Sequence, residues 1–149
     1  MIIYFDTSAL VKGYIQEEGS KEVNVLLDDV ENFFGSIVLT QVEMAATIQR
    51  AARAIGSPSA SASSAWQDFM DDWPSFTRLA VSPMTIERAS GIAWNYGLRG
   101  YDSLHLAAAL LWQEALGTQI TFATFDREFW LAAQKAGTLS WPEGLIPAE

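Results

Sequence analysis

The sequence has no cysteine and only one histidine, His105. The absence of cysteine excludes disulfide scaffolds, cysteine-ligated zinc, iron–sulfur clusters and cysteine nucleophiles. A single histidine excludes metal motifs that need two histidines, such as H-E-x-x-H. A metal site in this chain would therefore be built from oxygen ligands.

Basic residues are also scarce. Nine Lys and Arg stand against 18 Asp and Glu, which gives a formal net charge of −9. This balance argues against a protein that grips nucleic acid through a broad basic face. Half of the 149 residues are hydrophobic, which argues against intrinsic disorder. The length suits one compact domain, so we expect a single domain over residues 1–149.

Long hydrophobic runs are missing as well. No apolar stretch approaches the roughly 20 residues that a membrane helix needs, and Met1 to Asp6 lacks the positive segment that opens a signal peptide. We therefore expect a soluble cytoplasmic protein. Glycine-rich nucleotide-binding loops are absent too.

Short apolar runs that do not alternate with polar residues recur along the chain. Such runs are typical of strands buried on both faces, as in a parallel sheet covered by helices. They predict strands at 2–5, 33–38, 78–81 and 120–124, with a weaker candidate at 138–141.

Between these runs the apolar residues take a helical period. Two helical faces are expected, one made of Val23, Leu26, Leu27 and Val30, the other of Leu39, Val42, Ala46 and 48–52. Alternating strands and helices predict a three-layer α/β/α sandwich with a central, mainly parallel sheet of four to five strands. Residues 56–61 are expected to form a turn, and helices are predicted at about 23–30, 39–52, 60–73, 84–96, 102–116 and 126–136.

Four acidic residues fall at strand ends or helix starts. Asp6 and Asp126 follow the strands at 2–5 and 120–124, and Glu43 and Asp102 lie early in predicted helices. Ligands of open parallel sheets bind beyond the carboxyl ends of the strands. The four carboxylates are therefore expected to converge at one end of the sheet.

Each aspartate taken alone is better explained as a helix cap than as a catalytic residue. Glu43 resists that explanation, because it lies among apolar neighbours where a carboxylate needs a partner. Two carboxylates about 4 Å apart repel by about 4 kcal/mol at an effective dielectric near 20. Such a cluster must take up protons or bind a cation, and oxygen ligands favour Mg²⁺ or Mn²⁺. This chemistry points to hydrolysis of a phosphodiester bond.

With these residues the sequence resembles the PIN-domain ribonucleases, specifically the single-domain VapC-type toxins of toxin–antitoxin pairs. The resemblance covers nearly the whole chain and rests on four segments in family order. They are 3–12 (IYFDTSALVK), 39–43 (LTQVE), 100–109 (GYDSLHLAAA) and 122–126 (FATFD).

The resemblance implies that four residues form the catalytic, metal-binding quartet. It implies contacts from Thr7 and Ser8 near the metal, and support of Asp126 by Thr124. The activity implied is Mg²⁺- or Mn²⁺-dependent endonucleolytic cleavage of RNA by a metal-activated water. The quartet consists of Asp6, Glu43, Asp102 and Asp126.

The resemblance also implies partners, namely an RNA substrate such as tRNA, a small antitoxin and a second copy in a homodimer. Lys12 and Arg127 follow Asp6 and Asp126 closely, so they are the phosphate contacts that we predict. The other basic candidates are Arg50, Arg53 and Arg99.

Two alternatives stay open at this point. The apolar stripe of Trp66, Phe69, Met70 and Trp73 is interpreted as core packing, with contact to a dimer partner or antitoxin as the other hypothesis. The chain itself is either a ribonuclease toxin or a catalytically idle PIN-like binding module whose acidic end docks a basic peptide.

Overall fold

The computed structural model describes residues 1–54, 56 and 59–145. In these residues five strands form one sheet in the order β3-β2-β1-β4-β5, and each neighbouring pair runs parallel. The predicted parallel sheet is confirmed. Its strands are β1 (Ile2–Phe5), β2 (Phe33–Ile37), β3 (Thr77–Leu79), β4 (Thr121–Ala123) and β5 (Leu139–Trp141).

Helices connect the strands and cover the sheet. Most begin or end within a few residues of the bounds expected from sequence, and a 3₁₀ turn follows the first. They are α1 (Thr7–Leu10), α2 (Ser20–Asp28), α3 (Thr40–Ala54), α4 (Ser59–Asp72), α5 (Pro83–Tyr96), α6 (Gly100–Leu116) and α7 (Arg127–Ala136).

Both faces of the central strand β1 are buried. Ile3 and Phe5 belong to a core shared with α2, α3 and α4, whereas Tyr4 belongs to a second core shared with α5, α6 and α7. Successive side chains of a strand point to opposite faces, so the two cores lie on opposite sides of the sheet. The predicted three-layer α/β/α sandwich is confirmed.

One glycine lets α6 approach the sheet closely. A Cβ atom at Gly35 of β2 would lie 2.6 Å from the ring of Trp112, which is far inside van der Waals contact. Only a residue without a side chain allows this approach of backbone and ring. Gly35 therefore helps to fix the position of α6, the helix that carries Asp102.

The strand order places a crevice beside β1. From β1 the chain proceeds to β2 and β3 on one side, and β4 and β5 lie on the other side. The backbone N–H of Asp6 donates to Ala123 O at 3.1 Å, which continues the β1–β4 pairing to the strand ends. Parallel sheets bind ligands at such a reversal of strand order, outside the carboxyl ends.

The predicted helical face that includes Val30 is wrong at that residue. Helix α2 ends at Asp28, and Asp29 takes an extended conformation with φ −79° and ψ 108°. The Asp29 carboxylate accepts the N–H of Glu31 at 3.0 Å, so a local turn replaces the next helical turn. Val30 consequently lies outside the helix and is exposed.

The predicted apolar face of α3 is correct at Ile48 and Ala52, which are buried, but wrong at Val42 and Ala46. Residues four apart, including Met44 and Ile48, form the buried face. Val42 and Ala46 lie on a different side of the helix, and Val42 is 70% exposed. Glu43 nevertheless lies at a partly buried position, as expected.

The apolar stripe on α4 is core packing, as we interpret it from the sequence. Phe69 and Trp73 are buried, and Trp66 and Met70 are partly buried against the same core. The predicted turn at 56–61 is wrong at 59–61, which belong to α4, and its residues Ser57 and Pro58 lie outside the described residues. None of the described helices is long and apolar enough to cross a membrane.

Candidate active site

The four predicted acids line a single cleft of about 530 Å³. Asp6 and Asp126 enter it from the ends of β1 and β4, Glu43 from the first turn of α3, and Asp102 from the first turn of α6. The convergence expected from the strand ends is therefore present in the structure.

Asp6 is the most buried of these acids, with 5% exposure. Its Oδ1 accepts the N–H of Ala9 at 3.0 Å and thereby caps α1. Ser8 Oγ donates to the same carboxylate at 2.8 Å, and Thr124 Oγ1 donates to Oδ2 at 2.8 Å. Asp6 is therefore both a helix cap and a residue of the candidate site, because its one carboxylate caps α1 and faces the cleft.

Burial raises the pKa of Asp6 from 3.8 to about 6, because the charged form loses solvation. His105, the two hydroxyl donors and the Ala9 N–H oppose that rise but do not cancel it. Asp6 therefore has a more costly negative charge than an exposed aspartate. A cation in the cleft would offset that cost.

Glu43 has the partner that its apolar surroundings demand. His105 Nε2 lies 2.6 Å from Glu43 Oε1, and His105 Nδ1 lies 2.9 Å from the hydroxyl of Tyr4. Burial raises the pKa of Glu43, but the hydrogen bond and the charge of His105 lower it more, so its pKa falls below the usual value. Glu43 is therefore held as a carboxylate facing the cleft.

Asp102 and Asp126 share one arginine. Arg99 Nε donates to Asp102 Oδ2 at 3.1 Å, and Arg99 Nη2 lies 3.7 Å from Asp126 Oδ2. Asp126 also caps α7, because its Oδ1 accepts the N–H of Phe129 at 3.0 Å. The Arg99 side chain is 81% exposed, so solvent screens both ion pairs and the guanidinium is free to move.

The hydroxyl residues predicted to support the site lie within it. Thr124 Oγ1 accepts the N–H of Asp126 at 3.1 Å while donating to Asp6, so it joins the two strand ends. Ser8 Oγ accepts the N–H of Phe125 at 3.0 Å. Thr7 Oγ1 helps to lower the pKa of Glu43 from nearby, yet it makes no hydrogen bond of ordinary geometry to any described residue.

The basic residues of the cleft differ from the two that we predict as phosphate contacts. Lys12 Nζ binds Glu17 Oε1 at 2.9 Å and lies 4.6 Å from the ring centre of Phe125, outside the cleft lining. Arg127 is exposed on the first turn of α7 and does not line the cleft either. The cations that do line it are Arg50 and Arg99.

Two members of the site, Tyr4 and His105, are not identified as such by sequence reasoning. His105 is three residues after Asp102 on α6, and this spacing places both side chains on one helix face. Tyr4 has a hydroxyl on a strand buried on both faces, which implies a hydrogen-bond partner. These signals are present in the sequence, but nothing in it pairs either residue with Glu43.

Among the described residues, no three His, Asp or Glu side chains are arranged so that they could hold a metal ion as they stand. Protein partners engage the acids instead, with Arg99 on two of them and His105 on Glu43. The donor chemistry still suits a hard divalent cation, because the cleft offers carboxylate oxygens and the unpartnered Thr7 hydroxyl. The metal-binding quartet therefore stays a prediction.

Comparison with known proteins agrees with this fold. A family model described as PIN domain matches residues 3–135. Ribonuclease VapC45 of Mycobacterium tuberculosis (strain CDC 1551 / Oshkosh) is 33% identical over 148 residues, which cover 98% of this chain and 99% of that protein.

Two solved structures share the architecture at low sequence identity. FitAcB from Neisseria gonorrhoeae superposes with a TM-score of 0.65 at 16% identity, covering 94% of this chain and 96% of that one. A toxin–antitoxin complex from Klebsiella pneumoniae gives a TM-score of 0.59 at 18% identity, covering 85% and 89%. With its fold, its four acids at one cleft and these matches, the chain belongs to the PIN domain family.

Proposed function

We propose that this protein is a divalent-metal-dependent endoribonuclease and the toxin of a toxin–antitoxin pair. The observation that carries the proposal is the shared cleft of Asp6, Glu43, Asp102 and Asp126 in a PIN domain. The similarity to ribonuclease VapC45 over nearly the whole length of both chains supports RNA as the substrate.

Mg²⁺ or Mn²⁺ in the cleft would activate a water and stabilise the charge that develops on the phosphate. The four acids would hold that ion, and the residues behind them set their positions. Ser8 and Thr124 orient Asp6, and His105 orients Glu43. No side chain is required as a covalent nucleophile.

Arg99 has two roles in this proposal. Without a divalent ion its guanidinium neutralises part of the negative charge of Asp102 and Asp126. If these carboxylates held an ion instead, the exposed guanidinium of Arg99 would be available to the RNA phosphate, which arginine binds through two parallel hydrogen bonds. Arg50, on the α3 side of the cleft, is the second cation in reach of the backbone.

The net charge of −9 is compatible with an RNA substrate on these terms. A bound divalent ion makes the local field much less negative, so RNA does not need a broad basic face to approach. We expect the protein to recognise few RNAs, because it has few cations for phosphate contacts that do not depend on the RNA sequence.

Cleavage of RNA by the purified protein tests the proposal. We expect wild type to cut total RNA with Mg²⁺ or Mn²⁺ and to stop when EDTA is added, whereas Asp6→Asn and Asp102→Asn lose the activity. Asp28→Asn, an exposed acid at the end of α2, is the matched control and should cleave like wild type. If wild type shows no metal-dependent cleavage but its acidic cleft binds a basic peptide, the protein is a binding module instead.

We also propose an antitoxin partner and a homodimer. The fold that this chain shares with the Klebsiella pneumoniae toxin–antitoxin complex supports the first. Exposed large apolar side chains, such as Phe33 and Trp94, offer surface for protein contacts. Analytical ultracentrifugation tests the dimer, and co-purification with the product of a neighbouring short reading frame tests the antitoxin.

A further inference from the structure

We propose that a groove between α5 and α6, next to the acidic cleft, binds a nucleobase of the RNA, with Tyr101 as its stacking surface. The inference rests on the proposed ribonuclease function and adds the subsite that recognises the base. The groove has a volume of about 440 Å³, and its walls include Ile86, Ala93 and Leu104.

The groove and the cleft share a wall. Gly100 and Tyr101 line both, while Asp102 lines only the cleft and Ser103 only the groove. The first turn of α6 thus separates the acids from an apolar hollow. A nucleotide whose phosphate lies at Asp102 can place its base on the other side of Tyr101.

The composition of the groove suits a planar heterocycle. Ile86, Ala93 and Leu104 provide apolar walls, and the exposed hydroxyl of Ser90 is available to the polar edge of a base. The Ser90 hydroxyl donates to Ile86 O at 2.8 Å, which leaves its lone pairs free to accept from a base amino group. Pockets for small ligands combine mainly apolar walls with a few polar groups in this way.

Tyr101 is placed for stacking rather than for packing. Its side chain belongs to neither hydrophobic core, and the residue is 59% exposed although it is aromatic. Base–aromatic stacking is the common means by which proteins hold single-stranded RNA, and it tolerates different bases.

Charge and size favour a nucleotide over a second copy of the chain. Arg99, immediately before the shared wall, provides the cation that the phosphate of the same nucleotide needs. The groove has the volume of a small-ligand pocket, roughly 300–1,000 Å³. A homodimer at this face is the competing explanation, and the experiment separates the two.

The test measures binding of two fluorescein-labelled probes by anisotropy, with Mg²⁺ present and in an Asp6→Asn background that prevents cleavage. One probe is a short single-stranded oligoribonucleotide of mixed sequence, and the other is the same ribose–phosphate chain without bases. The variants are Tyr101→Ala, Tyr101→Phe and Ala93→Leu, which fills the groove. Tyr96→Ala removes an aromatic ring of α5 that lines neither the cleft nor the groove, and it is the matched control.

We expect Tyr101→Ala to weaken binding of the base-containing probe about tenfold, as the loss of one stacked base predicts. Its affinity for the abasic probe should not change. Tyr101→Phe should bind the base-containing probe as tightly as the protein that keeps Tyr101. Ala93→Leu should weaken binding as Tyr101→Ala does, and Tyr96→Ala should leave the affinity unchanged. Equal melting temperatures of the variants would show that they remain folded.

Four results would overturn the proposal. The first two are a Tyr101→Ala variant that binds both probes equally more weakly and one that binds both as tightly as the parent protein. The third is that the protein binds no RNA probe at all. The fourth is that the groove variants dissociate a dimer in sedimentation without changing the preference for bases, which would make the groove a homodimer interface. Failure of the ribonuclease proposal is a separate result, namely no cleavage by the wild type even where base-dependent binding is seen.

Discussion

Glu43 Oε1 and His105 Nε2 lie 2.6 Å apart, although 62 positions separate the residues in sequence. The Tyr4 hydroxyl accepts the N–H of Ile37 at 3.2 Å and lies 2.9 Å from His105 Nδ1. Glu43 is held as a carboxylate and can only accept, so His105 Nε2 carries a hydrogen and donates it to Glu43. Two buried side chains, Tyr4 and His105, thus fix the carboxylate of Glu43 in the cleft.

His105 acts through Glu43 and not on the substrate, but removal of its imidazole should still impair catalysis. We expect His105→Ala to lower the cleavage rate about 10–100-fold, the usual effect of losing a residue that orients a metal ligand. The pKa of Glu43 should rise, because the cause that lowers it is gone while its burial remains. The acidic limb of the pH–rate profile should therefore move to higher pH.

His105→Gln is the rescue variant, because its amide N–H can still donate a hydrogen bond. It should recover part of the rate and shift the acidic limb back. A His105→Ala enzyme with the wild-type rate and an unchanged acidic limb would show that His105 only fills space.

Tyr4→Phe should cost stability more than activity. The variant leaves the Ile37 N–H and His105 Nδ1 without their buried partner, at a cost of about 1–3 kcal/mol. Nε2 can still donate to Glu43, so cleavage at a temperature well below unfolding should stay within a fewfold of wild type. Urea denaturation measures the first effect, and a variant as stable as wild type would mean that the two hydrogen bonds contribute nothing net.

Sequence reasoning predicted the placement of the acids because that placement follows from chain direction alone. Asp6 and Asp126 each follow a buried parallel strand, and parallel strands end at the same edge. For the same reason the alternation of elements was enough to predict the layers. That β1 and β4 are also neighbours in the sheet is seen only in the structure.

The partners of those acids were not predictable in the same way. The contact of Glu43 with His105 depends on how α3 and α6 pack on the sheet, which no local pattern specifies. Lys12 was predicted as a phosphate contact because it is close to Asp6 in sequence. Its side chain instead donates to Glu17, beyond the short helix α1. Arg99 lies in the cleft because it immediately precedes the helix that carries Asp102.

The raised pKa of Asp6 predicts a dependence of stability on pH in the absence of divalent ions. The folded state holds the Asp6 proton up to about pH 6, whereas the unfolded chain releases it near 3.8, so stability falls as pH rises between these values. The ionised group costs the fold up to about 3 kcal/mol above pH 6.

Asp6→Asn removes this ionisation and keeps an acceptor for the Ala9 N–H. Without metal, the variant should gain stability relative to wild type at pH 7.5 and lose that advantage near pH 4. Thermal unfolding in EDTA at several pH values measures the difference. A difference between the two proteins that stays constant with pH would contradict the raised pKa.

Arg99 pairs with Asp102 and Asp126, two of the acids that we propose as metal ligands, so its removal should affect metal and RNA in opposite directions. We expect Arg99→Gln to bind Mn²⁺ several-fold more tightly in calorimetric titration, because no guanidinium has to be displaced. The same variant should cleave RNA more slowly at saturating Mn²⁺, since it lacks the cation that contacts the phosphate. Arg127→Gln removes an equal charge beside Asp126 but outside the cleft lining, and it should leave the Mn²⁺ affinity within about twofold, as expected for a screened surface charge. If Arg99→Gln instead weakened Mn²⁺ binding, the guanidinium would be holding the carboxylates in position for the ion rather than competing with it.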